Sequence, residues 1–266
     1  MLNNKAIGVF DSGLGGLTVL KALEKQLSHE SFIYFGDTAH VPYGSKSVET
    51  VQNYSNQITQ FLLGHDVKLI VIACNTASSV AGNLLRKKFD VPIFGVVTPS
   101  VEKAIFHYNG GEIGIIGTQS TISSNSYVEK FKTLVPHIKT LQQACPLFVP
   151  LIEENWGNTD TARKVASIYL KSFSQRPLDV LVLGCTHYPI MGEIIQSVMG
   201  DDVQLVSSGP AVAETVEEFL LEKNLQNDCK NPPTKAFFVT DSPQKFGELG
   251  SQFLGRTLTN VHHIKL

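Results

Sequence analysis

Nine apolar runs of four to six residues, rich in Ile and Val, alternate along this chain with segments of helical periodicity. A strand that is apolar throughout, rather than on every second residue, has both faces buried, which is what crossover helices do to a parallel sheet. The pattern predicts an α/β fold with mostly parallel sheets flanked by helices. Its strands are expected at Ala6 to Phe10, Ser31 to Gly36, Leu69 to Ala73, Ile93 to Val97, Ile113 to Gly117, Val180 to Gly184, Val203 to Val206, Ala236 to Val239 and Val261 to Ile264. A first helix is expected from about Gly15 to Leu27, with Leu17, Leu20, Leu23 and Leu27 on one face. A second opens at the N-cap Ser47, carries Val51, Tyr54, Ile58, Phe61 and Leu62, and stops at Gly64.

At 266 residues the chain fits one large domain or two smaller ones. Its 42% hydrophobic and 17% charged residues exclude a disordered chain. With 22 basic against 24 acidic residues, a nucleic acid or an anionic membrane is not expected as the main partner, which leaves small neutral or anionic metabolites. The amino terminus lacks a cationic stretch followed by a long apolar one, and no run approaches the roughly 20 residues of a membrane helix. A cytoplasmic location is the expectation.

Four cysteines, Cys74, Cys145, Cys185 and Cys229, lie far apart with no CxxC pair, so each is read as a single thiol. Two share a context. Val71-Ile-Ala-Cys74-Asn-Thr and Val182-Leu-Gly-Cys185-Thr-His each end an apolar strand in cysteine, and each follows a similar earlier segment, Ile7-Gly-Val-Phe-Asp-Ser-Gly and Ile113-Gly-Ile-Ile-Gly-Thr-Gln. The echo predicts two similar halves. Open α/β sheets bind ligands outside the carboxyl ends of their strands, and a thiol there, entering a helix, meets backbone amides that favour its thiolate. Cys145 and Cys229 lack that setting and are read as structural.

Asn75, Thr76 and Thr186 follow the two thiols and offer hydrogen bonds to a substrate's charged groups, or caps for the next helix. His187 is placed to orient Cys185 or exchange a proton with it. Asp11 ends a strand, where it suits proton transfer, an ammonium contact or an N-cap. The turn Val41-Pro-Tyr-Gly-Ser offers Tyr43 and the Gly44 amide to a small ligand. The glycines after Asp11 fail as a dinucleotide loop, because the third would fall at Thr18, and Asp37 is the nearest candidate for a ribose contact. No metal spacing is present, and the adjacent His262 and His263 would point to opposite faces of a strand. Two thiols and many small donors suit removal of a proton from one face of a carbon and its return to the other.

Taken together, Asp11-Ser-Gly-Leu-Gly-Gly-Leu-Thr-Val, Gly36-Asp-Thr, Pro42-Tyr-Gly, Ala73-Cys-Asn-Thr-Ala-Ser, Gly117-Thr-x-x-Thr121 and Gly184-Cys-Thr-His-Tyr-Pro resemble the glutamate racemases of the cofactor-independent aspartate/glutamate racemase family. The match runs in order over nearly the whole chain. It implies interconversion of L- and D-glutamate for peptidoglycan synthesis, with no cofactor, by two pseudosymmetric α/β domains around a cleft, commonly as a homodimer. Cys74 then matches the base for D-glutamate and Cys185 the base for L-glutamate, assisted by Asp11 and His187. Ser12, Tyr43, Gly44, Asn75, Thr76, Thr118, Thr121 and Thr186 match substrate-holding positions, and Glu153 a further acidic position. The domains are expected at 1–97 plus 208–266 and at 98–207, with Thr98-Pro99-Ser100 departing from the family pattern at the crossing turn. The alternatives are a sister racemase acting on aspartate or a hydantoin, and a non-catalytic two-lobed binding protein.

Overall fold

The computed structural model describes residues 2–228 and 232–266, and Cys229 lies outside them. The chain runs β1 (Ile7–Asp11), α1 (Leu17–Gln26), β2 (Phe32–Gly36), α2 (Val48–Gly64), β3 (Leu69–Ile72), α3 (Asn75–Lys88) and β4 (Ile93–Gly95). It continues through α4 (Val97–Phe106), β5 (Glu112–Gly117), α5 (Gln119–Ser123), α6 (Ser126–Leu134), β6 (Lys139–Ala144), α7 (Phe148–Glu153), α8 (Asp160–Leu170), β7 (Leu178–Gly184), α9 (Gly192–Met199) and β8 (Gln204–Ser207). It closes with α10 (Ser208–Glu222), β9 (Lys235–Val239), α11 (Pro243–Leu254) and β10 (Val261–His263).

Two sheets form, ordered β10-β9-β2-β1-β3-β4 and β6-β5-β7-β8, with every pairing parallel. The runs β2-β1-β3-β4 and β6-β5-β7-β8 have one topology, which is the structural form of the echo between the two cysteine segments. Each sheet is covered on both faces. One side of the first packs Leu17, Leu20 and Leu23 of α1 with Val212 and Val216 of α10, and the other packs Ile58 and Leu62 of α2 with Ala77 and Leu85 of α3. The second sheet is likewise enclosed between α7, α8 and α9 on one side and α4 and α6 on the other.

Three differences from the expected elements have local causes. Strand β6, Lys-Thr-Leu-Gln-Gln-Ala, has no apolar pattern that predicts it: it is a sheet edge, paired among the described residues with β5 alone. β4 stops at Gly95, and the segment expected to be a crossing turn is helical instead, with Thr98, Pro99 and Ser100 in the first turns of α4. Proline is tolerated there because an amide so near a helix start has no intrahelical acceptor to lose. α1 begins two residues later than expected, since Gly15 and Gly16 form its entry turn. Ser47 caps α2 as expected, its side chain accepting from the Thr50 amide.

The start of β3, which leads to Cys74, is pinned by a buried ion pair. Lys68 lies 2.6 Å from Glu30, and its Nζ also donates to the carbonyls of Asn3 and Leu225. Deleting one member of such a pair leaves the other charge buried without compensation. Glu30→Ala is therefore expected to lower the unfolding free energy by about 3 kcal/mol, measured as a reduced midpoint in urea with an unchanged slope.

Candidate active site

In an open parallel sheet the crevice lies where neighbouring strands send their connections opposite ways. Here that is between β1 and β3 and between β5 and β7. Asp11 and Ser12 leave the first of these points beside Cys74, and Thr118 leaves the second beside Cys185, so the two thiols occupy equivalent places in the two sheets. Both border one cavity of about 410 Å³.

Ser12, Tyr43, Gly44, Cys74, Asn75, Thr76, Thr118, Glu153, Cys185, Thr186 and His187 all line this cavity. Asp11 and Thr121 stand behind it, the first wholly buried and the second nearly so. Gly13 and the turn residues Val41, Pro42 and Ser45 also line it, and sequence reasoning missed Gln119, Pro146, Val149 and Pro150, which complete the wall. Gln119 follows Thr118 in the same turn and was within reach of a motif argument. The apolar residues before and within α7 carry no chemical signal and enter only because that helix folds over the cavity.

Cys74 is the N-cap of α3: its Sγ accepts from the Ala77 amide at 3.5 Å and approaches Ser12 Oγ at 3.8 Å. The capping role weighed for Asn75 and Thr76 thus falls to the thiol. Both of those residues turn toward the second sheet. Asn75 Nδ2 donates to the hydroxyls of Tyr127 and Ser208 at 2.8 and 2.9 Å, and Thr76 Oγ1 joins Thr118 and Thr121 in a hydroxyl triangle with sides of 3.0 to 3.2 Å. Asp11 does not cap α1, whose N-cap is Gly16. It folds under the loop, with Oδ2 accepting from Gly13 N at 2.9 Å and Oδ1 making no hydrogen bond.

Cys185 opens onto a turn and a short 3-10 segment, Tyr188–Met191, rather than directly onto α9. Its partner is His187, with Nδ1 at 3.9 Å from Sγ, while Nε2 meets Glu153 Oε1 at 3.0 Å. Two close approaches demand glycine. A Cβ on Gly15 would overlap Thr186 and His187, and one on Gly44 would come within 2.6 Å of Thr118 Cβ.

The loop bearing Tyr43 and Gly44 is tied down by Asp37. This carboxylate accepts from Tyr43 Oη at 2.6 Å and Thr240 Oγ1 at 2.8 Å, and lies 2.7 Å from His40 Nδ1. Asp37 is thus a loop anchor and not a ribose ligand. Cys145 is wholly buried beside Phe148 and Tyr188 and does not reach the cavity. His262 and His263 bond Asn260 and the Thr240 carbonyl, and the described residues contain no group of His, Cys, Asp and Glu placed to hold a metal.

Burial dominates the electrostatics. It pushes the Cys74 thiol up to about 12, aided by the Asp11 charge and only partly opposed by the Ala77 amide and Ser12. The expectation that a helix start would favour the thiolate is therefore overturned for this residue, because one amide does not replace lost water. Burial also raises Asp11, against the pull of His187 and the loop amides. For His187, burial disfavours the cation, but hydrogen bonds to Cys185 and Glu153 and their charges outweigh it and push the imidazole up to about 10. The site thus pairs a thiol whose thiolate is disfavoured, near a buried carboxyl, with a thiol beside an imidazole whose charged form is favoured. Without substrate, Cys74 is expected to react with iodoacetamide at pH 8 slower than a free thiol by roughly two to three orders of magnitude, its rate still climbing above pH 9, as read by peptide mass spectrometry.

Residues 7–216 match the family model described as Asp/Glu/Hydantoin racemase. A glutamate racemase from Syntrophus aciditrophicus is 45% identical, covering 98% of this chain and 96% of its own. Among solved structures, a glutamate racemase isoform from Bacillus anthracis superposes with a TM-score of 0.96 at 34% identity over 99% of this chain and 98% of the other. A glutamate racemase from Francisella tularensis, solved in complex with D-glutamate, superposes at 0.94 with 38% identity over the same shares. Similarity of this extent, spread over both sheets and both thiol-bearing turns, settles the family: the chain belongs to the Asp/Glu/hydantoin racemases and is a racemase of that group.

Proposed function

We propose that this racemase interconverts L- and D-glutamate by two-base proton transfer between Cys74 and Cys185. The observation that carries the reading is the pair of thiols at equivalent strand ends on one cavity, each with different acid–base help. Racemisation needs a base on one face of the α-carbon and an acid on the other. Cys74 as thiolate takes the α-proton of D-glutamate, the electron pair is held in the carboxylate-stabilised carbanion, and the Cys185 thiol delivers its proton to the opposite face. The reverse reaction starts at Cys185. The family name alone leaves aspartate and hydantoins open; the D-glutamate complex of the Francisella tularensis relative favours glutamate.

The substrate eases the unfavourable setting of Cys74. An ammonium entering the cavity adds a positive charge that favours the thiolate against the burial and the Asp11 charge that oppose it. His187, linked to Glu153, stabilises the Cys185 thiolate in the other direction. The amino end of α3 and the hydroxyls of Ser12, Thr76, Thr118 and Thr186 supply donors for the two carboxylates, with Thr121 supporting Thr76 and Thr118 from behind. Tyr43 and Gly44 close the side-chain end.

In the same reading the enzyme needs no cofactor or metal, works in the cytoplasm to supply D-glutamate for peptidoglycan, and is a homodimer, which sedimentation equilibrium tests directly. Its domains are 1–97 with 208–266 and 98–207. Close to that division, Val96, Val212 and Val216 pack in the core of the first sheet and Val101 and Ala104 in that of the second, which Val97 already joins one residue before the proposed crossing.

In deuterated water the product enantiomer formed early is expected to carry deuterium at the α-carbon while remaining substrate stays largely protonated, followed by chiral chromatography with mass detection. Cys74→Ala and Cys185→Ala should each lose racemisation by at least about 10³-fold, while Cys145→Ala stays near wild type. Early product retaining the substrate hydrogen would reject two bases, and racemisation of free aspartate or a hydantoin in place of glutamate would reject the substrate.

A further inference from the structure

The two polar contacts of His187 leave its ring orientation underdetermined. Nδ1 and Nε2 face Cys185 and Glu153 on roughly opposite sides, so both contacts tolerate rotation about the line joining the nitrogens. The sulfur contact is long at 3.9 Å, and it weakens steeply with any further tilt. Packing must set the plane. Gly15 presses on the ring at Nδ1 and Cε1, where no side chain would fit. A second contact comes from Phe253, whose ring centroid lies 6.0 Å from that of His187 at an interplanar angle of 89°. In such a T-shaped pair the edge of one ring meets the face of the other, and the pair gains further when the imidazole is charged.

Phe253 belongs to α11, a helix of the first sheet's half, yet it packs against the apolar clusters of both halves, including the one that contains Cys185. The same helix also shares a cavity wall with Glu153, the other polar partner of His187. Lys245, Phe246 and Leu249 line a smaller cavity of about 180 Å³ whose wall includes Glu153. The charged and titratable groups around His187 are Cys185, Glu153 and Asp11, and Asp241 and Lys245 line the smaller cavity together with Glu153.

We infer that Phe253 is a positioning residue for His187, holding the imidazole in register with Cys185 from across the boundary between the two halves. Among the described residues, the apolar cluster that holds Cys74 contains no residue of α11, so the effect is confined to one of the two thiols. The inference rests on the reading of Cys185 as a base, but its test does not require turnover.

The test follows iodoacetamide labelling of Cys185 against pH in the full chain without substrate, with Cys74 as the internal reference. Phe253→Ala and the bulkier Phe253→Leu, which keeps apolar volume if the alanine variant is unstable, are expected to move the Cys185 midpoint upward by about half a unit to one unit. The Cys74 rate should be unchanged. Phe253→Tyr, which retains the ring, should restore the wild-type midpoint, and kcat should fall severalfold in the Ala and Leu variants with KM little altered. An unmoved Cys185 midpoint in both variants, or an equal shift at Cys74, overturns the inference. Failure of the wild-type protein to racemise glutamate would instead reject the proposed reaction and leave the labelling result standing.

Discussion

The first turn of α3 is the joint on which the rest of the site depends. Cys74 closes that turn by capping it, and the next two side chains cross to the second sheet, Asn75 to Tyr127 and Thr76 to Thr118 and Thr121. Asn75, Thr76, Thr121 and Tyr127 are buried, so a hydrogen bond left unmade among them would carry the full desolvation penalty of its partner. The two halves are thereby held in one relative placement at the point where a thiol from each borders the shared cavity. A helix start, usually an anion site in its own right, here serves also as a fastener.

The two halves share a strand order but not an environment. After β3 the chain enters a helix directly, and the thiol becomes a buried cap near Asp11. After β7 it passes through a turn that swings His187 back onto Cys185 and toward Glu153. A symmetric scaffold thus presents two chemically different thiols to one cavity. That difference suits a reaction whose two directions remove the proton from opposite faces, since each face can be tuned separately.

Burial overrode the local rule at Cys74. The helix amino end does supply an amide to the sulfur, as motif reasoning expects, but the loss of water around a buried thiol is the larger effect, and Asp11 adds to it. The same competition explains Asp11 itself, which turned under its loop instead of capping α1. Sequence arguments count partners well and count missing water badly, because solvent exposure is decided by segments far away along the chain.

Much of the molecule was legible from the residues alone. The continuously apolar runs pointed to strands buried on both faces, as helices on either side of a parallel sheet make them, and the repeated strand-to-cysteine segments located both thiols and the hydroxyls beside them. What was not legible lacked a local signal. The polar edge strand β6 exists because β5 offers it backbone partners. The wall formed by Pro146, Val149 and Pro150 exists because α7 packs over the cavity. Phe253 meets His187 although 66 positions of chain separate them by number. Periodicity and spacing determine which faces must be covered, whereas only the packed structure determines what covers them, and the protonation of a buried thiol follows from that covering.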